Sequence, residues 1–130
     1  MKTIFTNGCF DIIHRGHLDL LAYCRSLGGR VVVGLNSDKS TKVLKGDSRP
    51  INSENDRKYL LESLVYVDEV IIFNEETPYL LIKSIKPDII VKGGDYLPEN
   101  VVGNDVAQVI IFDYVNGYST TEKIQDISSR

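Results

Sequence analysis

The chain has only two cysteines in 130 residues, and it contains neither G-x-G-x-x-G nor G-x-x-x-x-G-K-[ST]. Cys9 and Cys24 form no CxxC pair and no zinc-type spacing, so free thiols in a reducing, cytoplasmic setting are expected. The missing glycine fingerprints disfavour an ordinary dinucleotide oxidoreductase and a P-loop NTPase. No apolar run approaches membrane-spanning length, and nothing marks a signal peptide. A basic excess is lacking too: fifteen Lys and Arg face eighteen Asp and Glu, for a net charge of -3. That balance offers no bulk attraction to nucleic acid or an anionic membrane, so any basic site must be local. With 42% hydrophobic and 25% charged residues the composition is that of an ordinary globular protein, and the length suits a single domain over residues 1–130.

Along the chain, strand-like and helix-like patterns alternate. Residues 2–6, KTIFT, are a short β-rich run ending at the turn pair Asn7-Gly8. From Gly16, the positions Leu18, Leu20, Leu21, Tyr23, Cys24 and Leu27 trace a helical apolar face closed by Gly28-Gly29. RVVVGL at 30–35 is continuously apolar, as strands buried on both faces are. Residues 37–50, SDKSTKVLKGDSRP, break both periods and predict a long loop, the most basic segment here, with Lys39 and Lys42 in solvent. Asn52 or Ser53 caps a helix whose stripe is Leu60, Leu61, Leu64 and Val65. A third strand follows at 67–73. Thr77-Pro78 reads as N-cap and first residue of a helix that Pro87 stops. The fourth strand, 88–92, runs into Gly93-Gly94-Asp95. Residues 96–108 read as a loop with one helical turn near Asn104, 109–112 as a fifth strand, and Ser119 and Glu122 have capping-box spacing for a last helix. This alternation predicts a Rossmann-like α/β fold, a three-layer sandwich around a five-stranded parallel sheet with right-handed crossovers.

Residues 6–17, TNGCFDIIHRGH, hold the only two histidines of the chain. His14 and His17 flank Gly16, so a helix starting near Gly16 sets both imidazoles beside free backbone N–H groups and the positive end of the helix dipole. That is a phosphate site. In a parallel sheet the loops leaving the strands' carboxyl ends share one edge, which brings this stretch together with NSDKST, KGGDY and NGYSTT. Lys92, the threonine hydroxyls and the carboxylates of Asp11, Asp38 and Asp95 then surround one cleft. Cys9 reads as a small residue packed in a tight loop.

TNGCFDIIHRGH, with LNSD, LKGDSRP, VKGGDY and GYSTT at their positions, resembles the cytidylyltransferase-like nucleotidyltransferases with the H-x-G-H motif. Within them the chain is most similar to the adenylyltransferase domain that makes ADP-heptose from D-glycero-β-D-manno-heptose 1-phosphate. The resemblance implies transfer of a nucleoside monophosphate from ATP, or CTP, to a sugar or polyol phosphate with release of pyrophosphate. It implies that His14, His17 and Lys45 are catalytic, and that Asn7, Gly8, Cys9, Phe10 and Gly16 surround the nucleotide, largely through backbone amides. Lys92, Gly93, Asp95 and Tyr118 join that set on the nucleoside side. Ser119, Thr120 and Thr121 are assigned to the distal phosphates, and Arg57 matches a family arginine that faces phosphate. Magnesium on the triphosphate is implied, with Asp11 either its candidate ligand or a residue that caps or braces the loop. A homodimer is implied, as is a stand-alone transferase lacking the kinase domain often fused to such enzymes. Glycerol 3-phosphate cytidylyltransferases, the close rivals, carry arginines where this chain has Val65 and Tyr114, which favours the heptose branch. A nucleotide-binding sensor without turnover is the alternative of another class.

Overall fold

Side-chain alternation along the strands sorts the core into two halves, one on each face of a single sheet. A computed structural model describes residues 1–94 and 96–113. Its strands are β1 (Thr3–Gly8), β2 (Arg30–Asn36), β3 (Glu69–Phe73), β4 (Ile89–Gly93) and β5 (Gln108–Phe112). All neighbours pair in parallel, in the order β3-β2-β1-β4-β5. Ile4, Val31, Val33, Leu35, Val70, Ile89 and Val91 point to one face, where Leu20, Leu21 and Cys24 of α1 (Arg15–Ser26) and Leu61 of α3 (Glu54–Glu62) cover them. Phe5, Val32 and Ile90 point to the other, under Ile82 of α4 (Tyr79–Ile85) and Val101. This is the expected three-layer Rossmann-like arrangement. Gly34 lies on the second face because a Cβ there would stand 2.7 Å from Cζ of the buried Phe5.

Four local expectations need correction. Residues 37–50 are not a loop throughout: α2 (Asp38–Lys45) forms, capped by the Ser37 hydroxyl on the Ser40 N–H. Its buried face is Ser40 and Thr41, while Val43 and Leu44 are exposed, so no apolar period announces it. In α3, capped by Ser53, only Leu61 is fully buried among the leucines and valine of the expected stripe; Leu60 and Val65 face solvent. Pro78, not Thr77, occupies the N-cap of α4, with no side-chain cap bond. The helical turn within 96–108 is a 3-10 turn at Pro98–Asn100, earlier than expected. Lys39 and Lys42 are exposed as expected. The last helix, with Ser119 and Glu122, lies outside the described residues.

The chain leaves β1 to build β2 and β3 on one side, then returns to place β4 on the other, which makes the β1–β4 boundary the switch point. There the register holds only Ile4 with Ile89 and Phe5 with Ile90, whereas β1 pairs with β2 along its whole length. Beyond Phe5 the Thr6 hydroxyl donates to the Val91 carbonyl at 2.8 Å. The strands part, and a crevice opens at their carboxyl ends.

Leu61 anchors α3 with no exposed surface. Leu61→Ala is expected to cost about 2–5 kcal/mol, read as a lower urea midpoint at unchanged slope.

Candidate active site

The loop after β1 ends in an N-cap made by histidine. His14 stands ahead of α1 in extended conformation, and its Nδ1 accepts the Gly16 N–H at 3.1 Å. His17 answers: its Nδ1 accepts the His14 N–H at 3.2 Å. The two imidazoles form a reciprocal capping box, a role usually filled by Ser or Thr with Glu. An Nδ1 that accepts carries no proton, so each neutral ring keeps its hydrogen on Nε2. Burial pulls the His17 pKa down to about 4, with help from His14 and then Lys45. At neutral pH His17 is therefore an uncharged Nε2–H donor. The rings lie 4.0 Å apart, and Phe10 packs on His17 at 5.2 Å. Phe10 is buried in the left-handed region at φ 46, a conformation costing on the order of 1–3 kcal/mol that clusters at functional sites. Gly8 makes room for its ring, since a Cβ there would meet Phe10 Cε2 at 3.1 Å.

Two residues expected at the ligand turn out to hold the scaffold. Asp11, the candidate magnesium ligand, is 1% exposed. Its carboxylate accepts Arg49 Nε at 2.8 Å and the N–H groups of Ile51 and Asn52 at 2.9 Å. Burial alone raises its pKa, but the bonds from Asn52, Ile51 and Arg49 outweigh that and hold it below the usual carboxylate value. With its oxygens committed to these donors, Asp11 does not suit a metal; it braces the loop. Arg57, expected to face phosphate, has no exposed surface. Its guanidinium donates to the carbonyls of Cys9, Asn36 and Asn52 at 2.7–3.0 Å and to the Asp38 carboxylate at 2.8 Å. A buried cation with four acceptors is a clamp. Among the described residues no group of three or more His, Cys, Asp or Glu could hold a metal ion.

Of the other expected residues, Asn7, Gly8, Cys9, Phe10, His17, Lys45, Lys92 and Gly93 face a cleft of about 500 Å³ in the crevice, whereas His14 does not line it. Asn7, Gly8, Cys9 and Phe10 line one wall, His17 the base, and Lys92 with Gly93 the wall from β4. Lys45, the last residue of α2, and Arg49 close the third side. Gly16 is buried inside the capping box. Lys92 Nζ lies 4.9 Å from the centre of the Tyr96 ring, and burial lowers its pKa, as does the nearby charge of Lys45. Three cations and one buried carboxylate make a locally positive site in an acidic chain. A second cleft of about 900 Å³ adjoins it across Lys45 and Lys92, with Asn7, Asn36, Glu76 and Thr77 among its walls. Together they offer neutral donors and a cation cluster for a phosphate chain, beside a polar recess for a hydroxylated group. Asp95, Tyr118, Ser119, Thr120 and Thr121 lie outside the described residues.

Sequence reasoning passes over Arg49 as a site residue, although it singles out LKGDSRP as informative. Nothing in sequence distinguishes this arginine from its solvated neighbours, because its burial comes from pairing with Asp11 across 38 positions. Val65, where the rivals carry arginine, is 80% exposed. Its carbonyl accepts from Arg25, beside Asp68 at the amino end of the sheet. An arginine missing there changes nothing in the cleft of one chain.

A family model described as Cytidylyltransferase-like matches residues 5–129. The chain is 55% identical over 129 residues to the "Bifunctional protein HldE" of a Nitratiruptor species, covering 98% of this chain and 28% of that one. The protein of the same name from Helicobacter pylori (strain J99) is 53% identical over 127 residues, covering 97% and 27%. The chain thus spans a little over a quarter of these relatives. Among solved structures, a lipopolysaccharide core biosynthesis protein from Thermoplasma volcanium superposes with TM-score 0.73 at 30% identity, covering 88% of this chain and 97% of that one. A bifunctional NMN adenylyltransferase/ADP ribose pyrophosphatase from Francisella tularensis, complexed with AMP and a manganese ion, shares the fold at TM-score 0.66 and 17% identity, over 98% and 42%.

Two measurements check this geometry. Proton NMR is expected to titrate His17 at about 4, well below the ordinary 6.5. Between those values the unfolded chain binds a proton that folded His17 refuses, so stability falls as pH falls from 6.5 to 4, on the order of 3 kcal/mol in all. Above 6.5 both states are neutral there and the contribution is flat. Arg57→Met leaves three inward carbonyls without their donor and is expected to cost about 3 kcal/mol or more in chemical denaturation.

Proposed function

Because this chain belongs to the cytidylyltransferase-like family, we propose that it is a nucleotidyltransferase that moves AMP from ATP onto a sugar 1-phosphate, D-glycero-β-D-manno-heptose 1-phosphate, and releases pyrophosphate. The observation that carries the reading is the histidine pair at the start of α1, with neutral His17 facing a cleft ringed by Lys45, Arg49 and Lys92. The similarity to proteins named HldE supports the choice of acceptor.

In this proposal the triphosphate lies in the first cleft, along the N–H groups of residues 7–10 and the helix start. The acceptor sits in the second, its hydroxyls met by Asn36, Glu76 and Thr77. Lys45 and Lys92 line both clefts, so they fit the point where the two phosphates meet. The acceptor phosphate is already ionised and attacks the α-phosphorus in line without a general base. Positioning and charge stabilisation then supply the catalysis. His17 donates its Nε2–H to a phosphoryl oxygen as the bond to pyrophosphate breaks, His14 holds it in place through the capping box, and the lysines balance the growing charge. Staying neutral matters, because protonating either Nδ1 removes the acceptor that caps the helix. Magnesium bound with the triphosphate would supply charge neutralisation, and Asp11 would not hold it, because its carboxylate is filled by Arg49, Ile51 and Asn52.

Pyrophosphate release across a panel of nucleoside triphosphates and acceptor phosphates tests this. Release is expected with ATP and the heptose 1-phosphate, and His17→Ala is expected to lower kcat roughly 100- to 1000-fold. Release only with CTP and glycerol 3-phosphate reassigns the substrates. Tight nucleotide binding with no release from any pair makes the chain a sensor.

A further inference from the structure

We infer that Arg49 is a nucleotide-binding residue of the first cleft, its guanidinium set to grip the triphosphate and not the acceptor. This rests on the nucleotidyl-transfer reading above. Arg49 is 8% exposed, and its Nε is fixed on Asp11 Oδ2 at 2.8 Å. Asp11 cannot swing away, since the Ile51 and Asn52 N–H groups hold the same carboxylate. The pair explains how a permanent cation tolerates burial, but it uses one edge of the fork. Arg49 Nη2 is buried with no hydrogen-bond partner. Buried donors are almost always satisfied, and Arg49 is a lining residue of the cleft, so an acceptor from outside the chain that settles against its guanidinium is the partner Nη2 lacks.

The position says which acceptor. Lys45 and Lys92 line both clefts, whereas Arg49 lines the one it shares with His17 and does not line the other. A guanidinium matches phosphate oxygens with parallel N–H bonds, so here it orients a polyphosphate as well as attracting it. The bonds from Asp11 fix that orientation before any ligand arrives, which reduces the ordering that binding requires. Asp11 is a positioning residue in this arrangement, and Arg49 makes the contact.

Calorimetry with inorganic triphosphate, ATP and adenosine on the wild type, Arg49→Gln and Arg49→Lys tests the assignment, with thermal melts confirming that each variant is folded. Arg49→Gln is expected to weaken inorganic triphosphate and ATP at least tenfold while leaving adenosine within twofold. Arg49→Lys should fall between, keeping charge without the fork. Triphosphate binding within twofold of wild type in a folded Arg49→Gln protein overturns the inference and leaves Arg49 a purely structural partner of Asp11. If that variant does not fold, the guanidinium 15N resonances of the wild type decide: the Arg49 Nη signal must move on adding inorganic triphosphate, and an unmoved signal overturns the assignment. A wild type that binds neither ATP nor triphosphate defeats the nucleotidyl-transfer reading instead.

Discussion

One guanidinium holds the working end of this protein together. Arg57, on α3, is wholly buried, and its acceptors come from the loop after β1, the end of β2, the start of α2 and the residue ahead of the α3 cap. Hydrogen bonds to a charged group are worth about 1.5–3 kcal/mol each. Their larger effect here is geometric. Asp38 is fixed at the first position of α2, and seven residues later, about 10 Å along the axis, Lys45 reaches the cleft. Asp11 does the same for the next segment, tying residues 49–52 to the histidine loop. Two inward-facing charges thereby place the outward-facing ones.

The histidines show a comparable division within each ring. Nδ1 belongs to the fold, since it closes the helix start, and Nε2 carries the hydrogen of the neutral ring. Burial beside Lys45 keeps His17 uncharged, so the site gains its positive potential from lysine and arginine and its directed donors from imidazole. Phe10, in a backbone conformation that few residues without a glycine's freedom adopt, presses its ring on His17 and fixes that orientation.

The sheet and the histidine motif are legible in the sequence because their signals are local. RVVVGL can hardly be anything but a buried strand, and two histidines around a glycine before an amphipathic run mark a phosphate-binding helix start. α2 is illegible because its buried residues are Ser40 and Thr41, which carry no apolar period. Asp11 and Arg57 can be placed near the motif from sequence, yet their partners are backbone and side-chain groups of the protein and not the metal or phosphate expected of them. A sequence reports that a charge is present, but whether it meets a ligand or a backbone carbonyl depends on which way a loop folds back. Arg49 illustrates the converse, a residue that looks like surface until a carboxylate 38 positions away draws it in. Val65 misleads for a related reason: its place at the amino edge is a property of topology, not of residue type.

The early parting of β1 and β4 has a mechanical meaning. The sheet is two panels, β3-β2-β1 and β4-β5, joined along a short line from Thr3 and Asp88 through the pairs Ile4–Ile89 and Phe5–Ile90 to the Thr6 hydroxyl on the Val91 carbonyl. A molecule seated in the gap touches Gly8 and Cys9 on one panel and Lys92 and Gly93 on the other, so it completes a joint that the backbone leaves unfinished. Its affinity and the alignment of the panels are then one linked quantity, each strengthening the other by the same amount. In the proposed reaction the substrate would serve, while bound, as a missing piece of the sheet.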